Sequence, residues 1–304
     1  MTTAHTTPAD IPFPPDPNPK KPRLIAPPGS WDTHFHLFGP PHRFPYDENR
    51  RYSPPTAPLE HWLSVFSAIG IERGLIVTPS VHDRDPAVTL DAIARAGGRL
   101  RGMVRADSRM TKDDAPRLHA GGIRGIRFPF SKVTRRSFDE REVHANLSII
   151  DSLPWVVEFQ IDSQGLLEHA DLLGSIQRPT IIDHGAIADI DLEAGLDQPL
   201  LRTFVDLLAG PNIYLKLSGH ERRVLEGRRY ESIVALTRFF IEKAPDRMLW
   251  GSDWPHAYIF KANEMPNDGE LLDHLLDFAP DEAVRKMILV DNPERLFGGP
   301  LGSA

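Results

Sequence analysis

The chain has 304 residues, 40% of them hydrophobic and 25% charged, with a formal net charge of 35 − 42 = −7. This length suits one α/β barrel and this composition buries a large core, while the scatter of both charge signs argues against a nucleic-acid partner. There is no cysteine, which excludes disulfides, thiolate metal sites and cysteine nucleophiles; any metal would take His or carboxylate ligands.

Residues 1–29 are rich in proline and lack periodicity. They read as an extended arm, flexible at its tip, that wraps the domain or a partner subunit. The arm has no apolar run of the kind a secretory signal needs, and no stretch of the chain approaches a membrane span. A soluble cytoplasmic protein with no membrane partner is expected, its oligomeric state left open.

From residue 30 to 304 short β-prone runs alternate with segments of helical period. Strands are predicted at Trp31–His36, Gly74–Val77, Leu100–Val104, Gly125–Phe128, Trp155–Gln160, Thr180–Asp183, Ile213–Leu217 and Met248–Gly251. Helices are predicted at Leu59–Ile69, Pro86–Ala96, Arg141–Asp151, Gly165–Leu173, Pro199–Ala209, Tyr230–Lys243 and Asp281–Val290. Eight strands, each followed by helical pattern, predict a single (β/α)8 barrel. An open doubly wound sheet is the alternative, but no glycine-rich phosphate-binding turn follows the first strand.

Three motifs carry chemistry. In Trp31-Asp32-Thr33-His34-Phe35-His36 the two histidines are two residues apart, so a strand projects them from one face. Thr180-Ile181-Ile182-Asp183-His184-Gly185 is an apolar run that delivers an imidazole at its tip. Met248-Leu249-Trp250-Gly251-Ser252-Asp253-Trp254-Pro255-His256 ends a strand in a carboxylate and a Trp-Pro that stops regular structure. Each alone has a plain structural explanation: polar-loop histidines, a histidine bonded to a backbone carbonyl, an aspartate capping a helix. Together they fall at the C-terminal ends of strands one, six and eight, and so converge on the barrel mouth where barrel enzymes do their chemistry.

The set DTHFH, IIDHG and GSDWPH resembles the amidohydrolase superfamily, and within it the lactone hydrolases typified by 2-pyrone-4,6-dicarboxylate lactonase. FGPPHRFP, VTPSVHDRD, GGIRGIRFPF and MILVDNPERLF extend the resemblance over nearly everything beyond the arm. It implies that His34, His36, His184 and Asp253 are catalytic, and that Tyr52, Ser80, His82, Arg127 and Arg222 grip the carboxylates and lactone oxygens of a small acidic substrate. A planar Arg fork suits a carboxylate; for Arg124 and Arg127 the alternative is a surface ion pair, less apt for Arg127 at a strand end. Two positions depart from the family pattern. Val133 stands for a carboxylate-binding Arg, with Arg135 and Arg136 as nearby substitutes, and Phe159 stands for a Tyr, beside Gln160. The expected substrate is therefore a carboxylated lactone, 2-pyrone-4,6-dicarboxylate-like, muconolactone-like or a sugar-acid lactone, and one with a single firmly held anionic group is expected to be preferred over the pyrone dicarboxylate itself.

The expected cofactor is none, with a single weakly held Zn²⁺ or Mn²⁺ on His34, His36, His184 and Asp253 as the second choice. Two metals would need a bridging carboxylate or Lys from a middle strand; Glu158 is the only carboxylate there and is set aside as out of step with Gln160. Asp253 is expected to activate water while the imidazoles polarise the lactone carbonyl. The alternatives are a metal-dependent decarboxylase of the same superfamily and a silent barrel that binds a small acid.

Overall fold

Eight parallel strands run in chain order β1 to β8: Trp31–Phe35, Arg73–Val77, Leu100–Arg105, Ile123–Phe130, Val156–Ile161, Thr180–Ile182, Ile213–Leu217 and Met248–Trp250. In this computed structural model the described residues are 11–50, 52–106, 109–131, 134, 136–183, 190 and 198–299. Each strand pairs with the next in sequence. The ring is drawn shut between β1 and the segment after β8, where Asp253 N donates to His34 O at 2.8 Å and His36 N to Trp254 O at 2.8 Å. The architecture is the (β/α)8 barrel that the sequence predicts.

Alternation along the strands sorts side chains between two cores. On β5, Val156 faces the barrel interior while Val157, Phe159 and Ile161 pack outward against the helices. Outside lie α1 (Leu59–Ala68), α2 (Ala87–Arg95), α3 (Asp114–Ala120), α4 (Glu140–Ile149), α5 (Ser163–Ser175), α6 (Pro199–Ala209), α7 (His220–Leu225), α8 (Tyr230–Lys243), α9 (Asp268–Phe278), α10 (Glu282–Lys286) and α11 (Asn292–Phe297). Helix α6 buries Leu200, Leu201, Phe204, Leu207 and Leu208, one stripe at helical spacing; each such side chain contributes roughly 1.5–3 kcal/mol. Helix starts follow local chemistry: Asp139, Asp162 and Asp281 cap α4, α5 and α10 through their carboxylates, each cap contributing about 1 kcal/mol.

Helices α3, α7, α9 and α11 are absent from the sequence reading. The first two are short, with seven and six residues, too few for a periodic pattern to emerge. Along α9 lies the described part of the arm: Lys20 N donates to Asn267 Oδ1 at 2.9 Å and Leu24 N to Asp273 Oδ1 at 2.8 Å. No helix among the described residues is long and apolar enough to cross a membrane.

Candidate active site

The end of β1 is clasped to the turn after β8 by a buried carboxylate. Asp32 accepts from Ser252 N at 3.0 Å, Ser252 Oγ at 2.7 Å, His34 N at 3.0 Å and the Trp62 indole at 3.4 Å. Burial pushes the Asp32 carboxyl up to about 7, against the pull of these donors. Gly251 is required by close approach, since a Cβ there would lie 2.6 Å from His34 Cβ. Asp253 follows with a left-handed φ of 60°, a conformation that costs an L-residue roughly 1–2 kcal/mol. The clasp holds that strain, and the carboxylate is delivered to the mouth.

Hydrogen bonding sets the His36 tautomer. His36 Nδ1 lies 2.7 Å from Val77 O, an acceptor only, so its proton sits on Nδ1 and neutral His36 offers a lone pair at Nε2. His34 Nδ1 lies 3.2 Å from Lys216 Nζ, 3.4 Å from Asp183 Oδ1 and 3.8 Å from Glu158 Oε1, a donor on one side and two carboxylates on the other. Burial above all holds His34 well below the usual imidazole pKa, so it stays neutral. His36 Nε2 stands 3.3 Å from Asp253 Oδ1 and 3.4 Å from His34 Nε2, and His34 Nε2 stands 3.6 Å from Asp253 Oδ1. The other oxygen, Asp253 Oδ2, is ion-paired with Arg222.

Beneath these groups runs a layer of charge in which Lys216, Glu158 and Asp183 are fully buried and Arg127 reaches the cleft. Lys216 pairs with Glu158, and Arg127 pairs with Asp183 while its Nε lies 3.0 Å from Glu158 Oε1. Glu158 corrects the sequence reading: residues two apart share a strand face, so Glu158 lies in step with Gln160 and fills the barrel interior. Burial raises its pKa and Lys216 opposes the rise. Burial also works against the Arg127 charge, but Asp183 and Glu158 outweigh it and raise the pKa.

Above this layer a cleft opens, lined by His36, Tyr52, Thr78, Pro79, Ser80, Arg105, Arg127, Pro129, Thr134, Gln160, Arg222, Asp253, Ala257 and Tyr258. The structure thus brings together His34, His36, Asp253, Tyr52, Ser80, Arg127 and Arg222 of the expected set. Burial holds the Tyr52 phenol above the usual tyrosine range, so it stays a neutral donor. His82 is not brought to the cleft wall: its Nδ1 lies 3.2 Å from Pro45 O and its ring packs edge-on to Tyr46. His184, Val133 and Arg135 lie outside the described residues. Phe159 is a second correction, since it stacks outward on Phe128 and Phe138, and the β5 residue that faces the cleft is Gln160. Arg136 is turned to Glu142, and Arg124 bonds the carbonyls of His119 and Ile123.

Sequence reasoning missed Asp32, Arg105, Lys216 and Tyr258. A signal existed for two of them: Arg105 and Lys216 each stand two residues beyond an apolar inward residue, Met103 and Tyr214, at the C-terminal end of a strand.

A family model described as amidohydrolase matches residues 31–299. The chain belongs to the amidohydrolase family. It is 40% identical over 277 residues to 4-sulfomuconolactone hydrolase of Hydrogenophaga intermedia, covering 91% of each chain. It is 30% identical over 289 residues to 2-pyrone-4,6-dicarboxylate hydrolase of Comamonas testosteroni, covering 92% of this chain and 93% of that one. Among solved structures, an Agrobacterium tumefaciens protein in its apo form superposes with a TM-score of 0.76 at 28% identity, over 92% of this chain and 99% of that one.

Whether this amidohydrolase can hold a metal is a question of donor geometry. His34 Nε2, His36 Nε2 and Asp253 Oδ1 are mutually 3.3–3.6 Å apart, and ligands about 2.0–2.1 Å from a tetrahedral Zn²⁺ are separated by ~3.4 Å. The three donors fit one ion. A second cluster, His34, Glu158 and Asp183, has its carboxylates already paired with Lys216 and Arg127.

Proposed function

We propose that this amidohydrolase hydrolyses an acidic lactone of the muconolactone type, with Asp253 as general base. The observation that carries the reading is the placement of Asp253 Oδ1 3.3 Å from His36 Nε2. Both are hydrogen-bond acceptors, so a water between them donates one hydrogen to each and turns its lone pairs to the cleft. Attack on the lactone carbonyl then passes a proton to Asp253, and collapse of the tetrahedral adduct breaks the ring C–O bond as Asp253 returns the proton to the leaving oxygen. The His34 imidazole and the Arg222 guanidinium stand beside the developing oxyanion and stabilise it. Arg127, Tyr52 and Ser80 orient the substrate from its carboxylate, so that remote binding positions the reacting carbonyl. His184 enters this scheme through the family resemblance alone, as a third imidazole on the carbonyl.

A divalent ion on His34, His36 and Asp253 would supply Lewis acidity and acidify a water. We infer that hydrolysis does not require it. Arg222 already neutralises Asp253, and Lys216 stands 3.2 Å from His34 Nδ1, beside the Asp183 carboxylate at 3.4 Å. These two cations lower the affinity of the same three donors for another one. The 40% identity to a 4-sulfomuconolactone hydrolase favours the muconolactone class over the pyrone dicarboxylate.

The test is a panel of carboxylated lactones at neutral pH, with and without a chelator. Ring opening is expected to be fastest with muconolactone-type substrates. Inertness toward every lactone, with metal-dependent loss of CO₂ from an aromatic acid, would put the decarboxylase reading in its place.

A further inference from the structure

Arg105 ends β3, and its register partner on β4 is Arg127. Both line the cleft. Like charges placed opposite each other on neighbouring strands work against stability, so each guanidinium needs its own anions. Arg127 has them, in Asp183 and Glu158, and Arg222 has Asp253. Arg105 meets one carboxylate among the described residues, Asp83, 3.1 Å from Nη1, with about a third of the Asp83 side chain in solvent. Its Nε is buried and has no hydrogen-bond acceptor among the described residues. A planar fork with one arm engaged is a half-used carboxylate site.

We infer that Arg105 is the anion-binding residue for a second acidic group on the lactone, a carboxylate or sulfonate set away from the group that Arg127 orients. The inference rests on the lactone-hydrolase reading of the cleft and names what that reading left open. Its surroundings favour an incoming anion. Burial lowers the Arg105 pKa, Asp83 opposes this, and Arg136, Arg84 and Arg127 lower it further. The same anion would satisfy Nε and screen Arg105 from Arg127. Of the two further cations that act on Arg105, Arg136 is paired with Glu142 and Arg84 lies 3.8 Å from Asp83. The expectation of one firmly held anion counted Arg127 and Arg222 only; a third cation on β3 restores a two-anion site by a different strand.

The experiment compares kcat/KM for muconolactone, which carries one anionic group, with that for 4-sulfomuconolactone, which carries two, in wild type, Arg105→Met and Arg105→Lys. Wild type is expected to favour the dianion, and Arg105→Met to reduce that preference by about 30-fold or more, because a charged oxygen left unpaired in a partly buried site is strongly rejected. Arg105→Lys keeps the charge without the fork, folds with less disturbance, and is expected to recover part of the preference. Equal losses on both lactones, or a wild type with no preference for the dianion, would overturn the assignment while leaving the hydrolase reading intact. A wild type that opens neither lactone removes the hydrolase reading, and the assignment with it.

Discussion

In the lower half of the barrel Met103, Val156, Ile181, Tyr214 and Leu249 meet Leu296 and Phe297 in a closed apolar plug. Two residues further along the same strands stand Arg105, Glu158, Asp183, Lys216 and, on β8, the Gly251 that leads into Asp253. The lower set stabilises by burial, which is non-directional and tolerant of exchange among apolar residues. The upper set consists of charges that are stable only in pairs, because an ion stripped of its partner inside a protein costs several kcal/mol. One scaffold thus carries a forgiving half that holds the barrel together and an unforgiving half that does chemistry.

That contrast is broken most severely at Asp253. Asp253→Asn keeps the shape of the side chain but removes the base, and kcat is expected to fall by about 10³-fold or more while substrate affinity changes little. Steady-state kinetics together with equilibrium binding of the lactone checks this; near-normal turnover would remove Asp253 from the role.

The next effect separates the two halves by their response to a second change. Lys216→Met takes from Glu158 one of its two cations, leaving Arg127 alone beside it, and is expected to cost about 3 kcal/mol of stability, much as Leu249→Ala in the plug costs about 2–5 kcal/mol. Adding Glu158→Gln to Lys216→Met should recover at least about 1 kcal/mol, because the under-compensated charge is gone. Denaturant unfolding of the single and double variants measures it, and a purely additive pair would show that the buried charges are not coupled.

How much of this was legible follows from the same contrast. The plug and the outer core are written in strand alternation, so eight strands and seven of the helices could be placed from apolar spacing alone. His34, His36 and Asp253 were legible because short motifs mark them at strand ends. For Glu158 and Lys216 strand parity signals only that they face inward; a lone charged residue inside an apolar strand says nothing about which distant charge will meet it. Phe159 misled for a related reason: a family position transfers to this chain only when strand parity is kept, and parity turns Phe159 outward and Gln160 inward. Arg222 rides on α7, a helix too short to show a period.

The smallest effect lies outside the barrel, where His220 and His274 sit with Nε2 and Nδ1 2.6 Å apart. Burial, and then the neighbouring His274, push His220 down to about 3 from 6.5. Its stabilising share is therefore complete above pH 6.5 and is lost progressively as pH falls toward 3, because the unfolded chain takes up a proton that the folded one refuses. His220→Gln should remove this term, so wild type should lose up to about 2 kcal/mol more than the variant between pH 7 and pH 5. Parallel pH dependence of unfolding in the two proteins would contradict it.

The most direct test of the hydrolytic site is the rate at which chelator-stripped protein, its residual metal content quantified, opens a muconolactone-type lactone. With Asp253 as base and Arg222 and Lys216 supplying the positive charge, the stripped protein should retain its rate within about twofold at far less than one equivalent of metal. Loss of activity on stripping, restored by one equivalent of Zn²⁺ or Mn²⁺, would contradict this and make a metal-activated water the nucleophile.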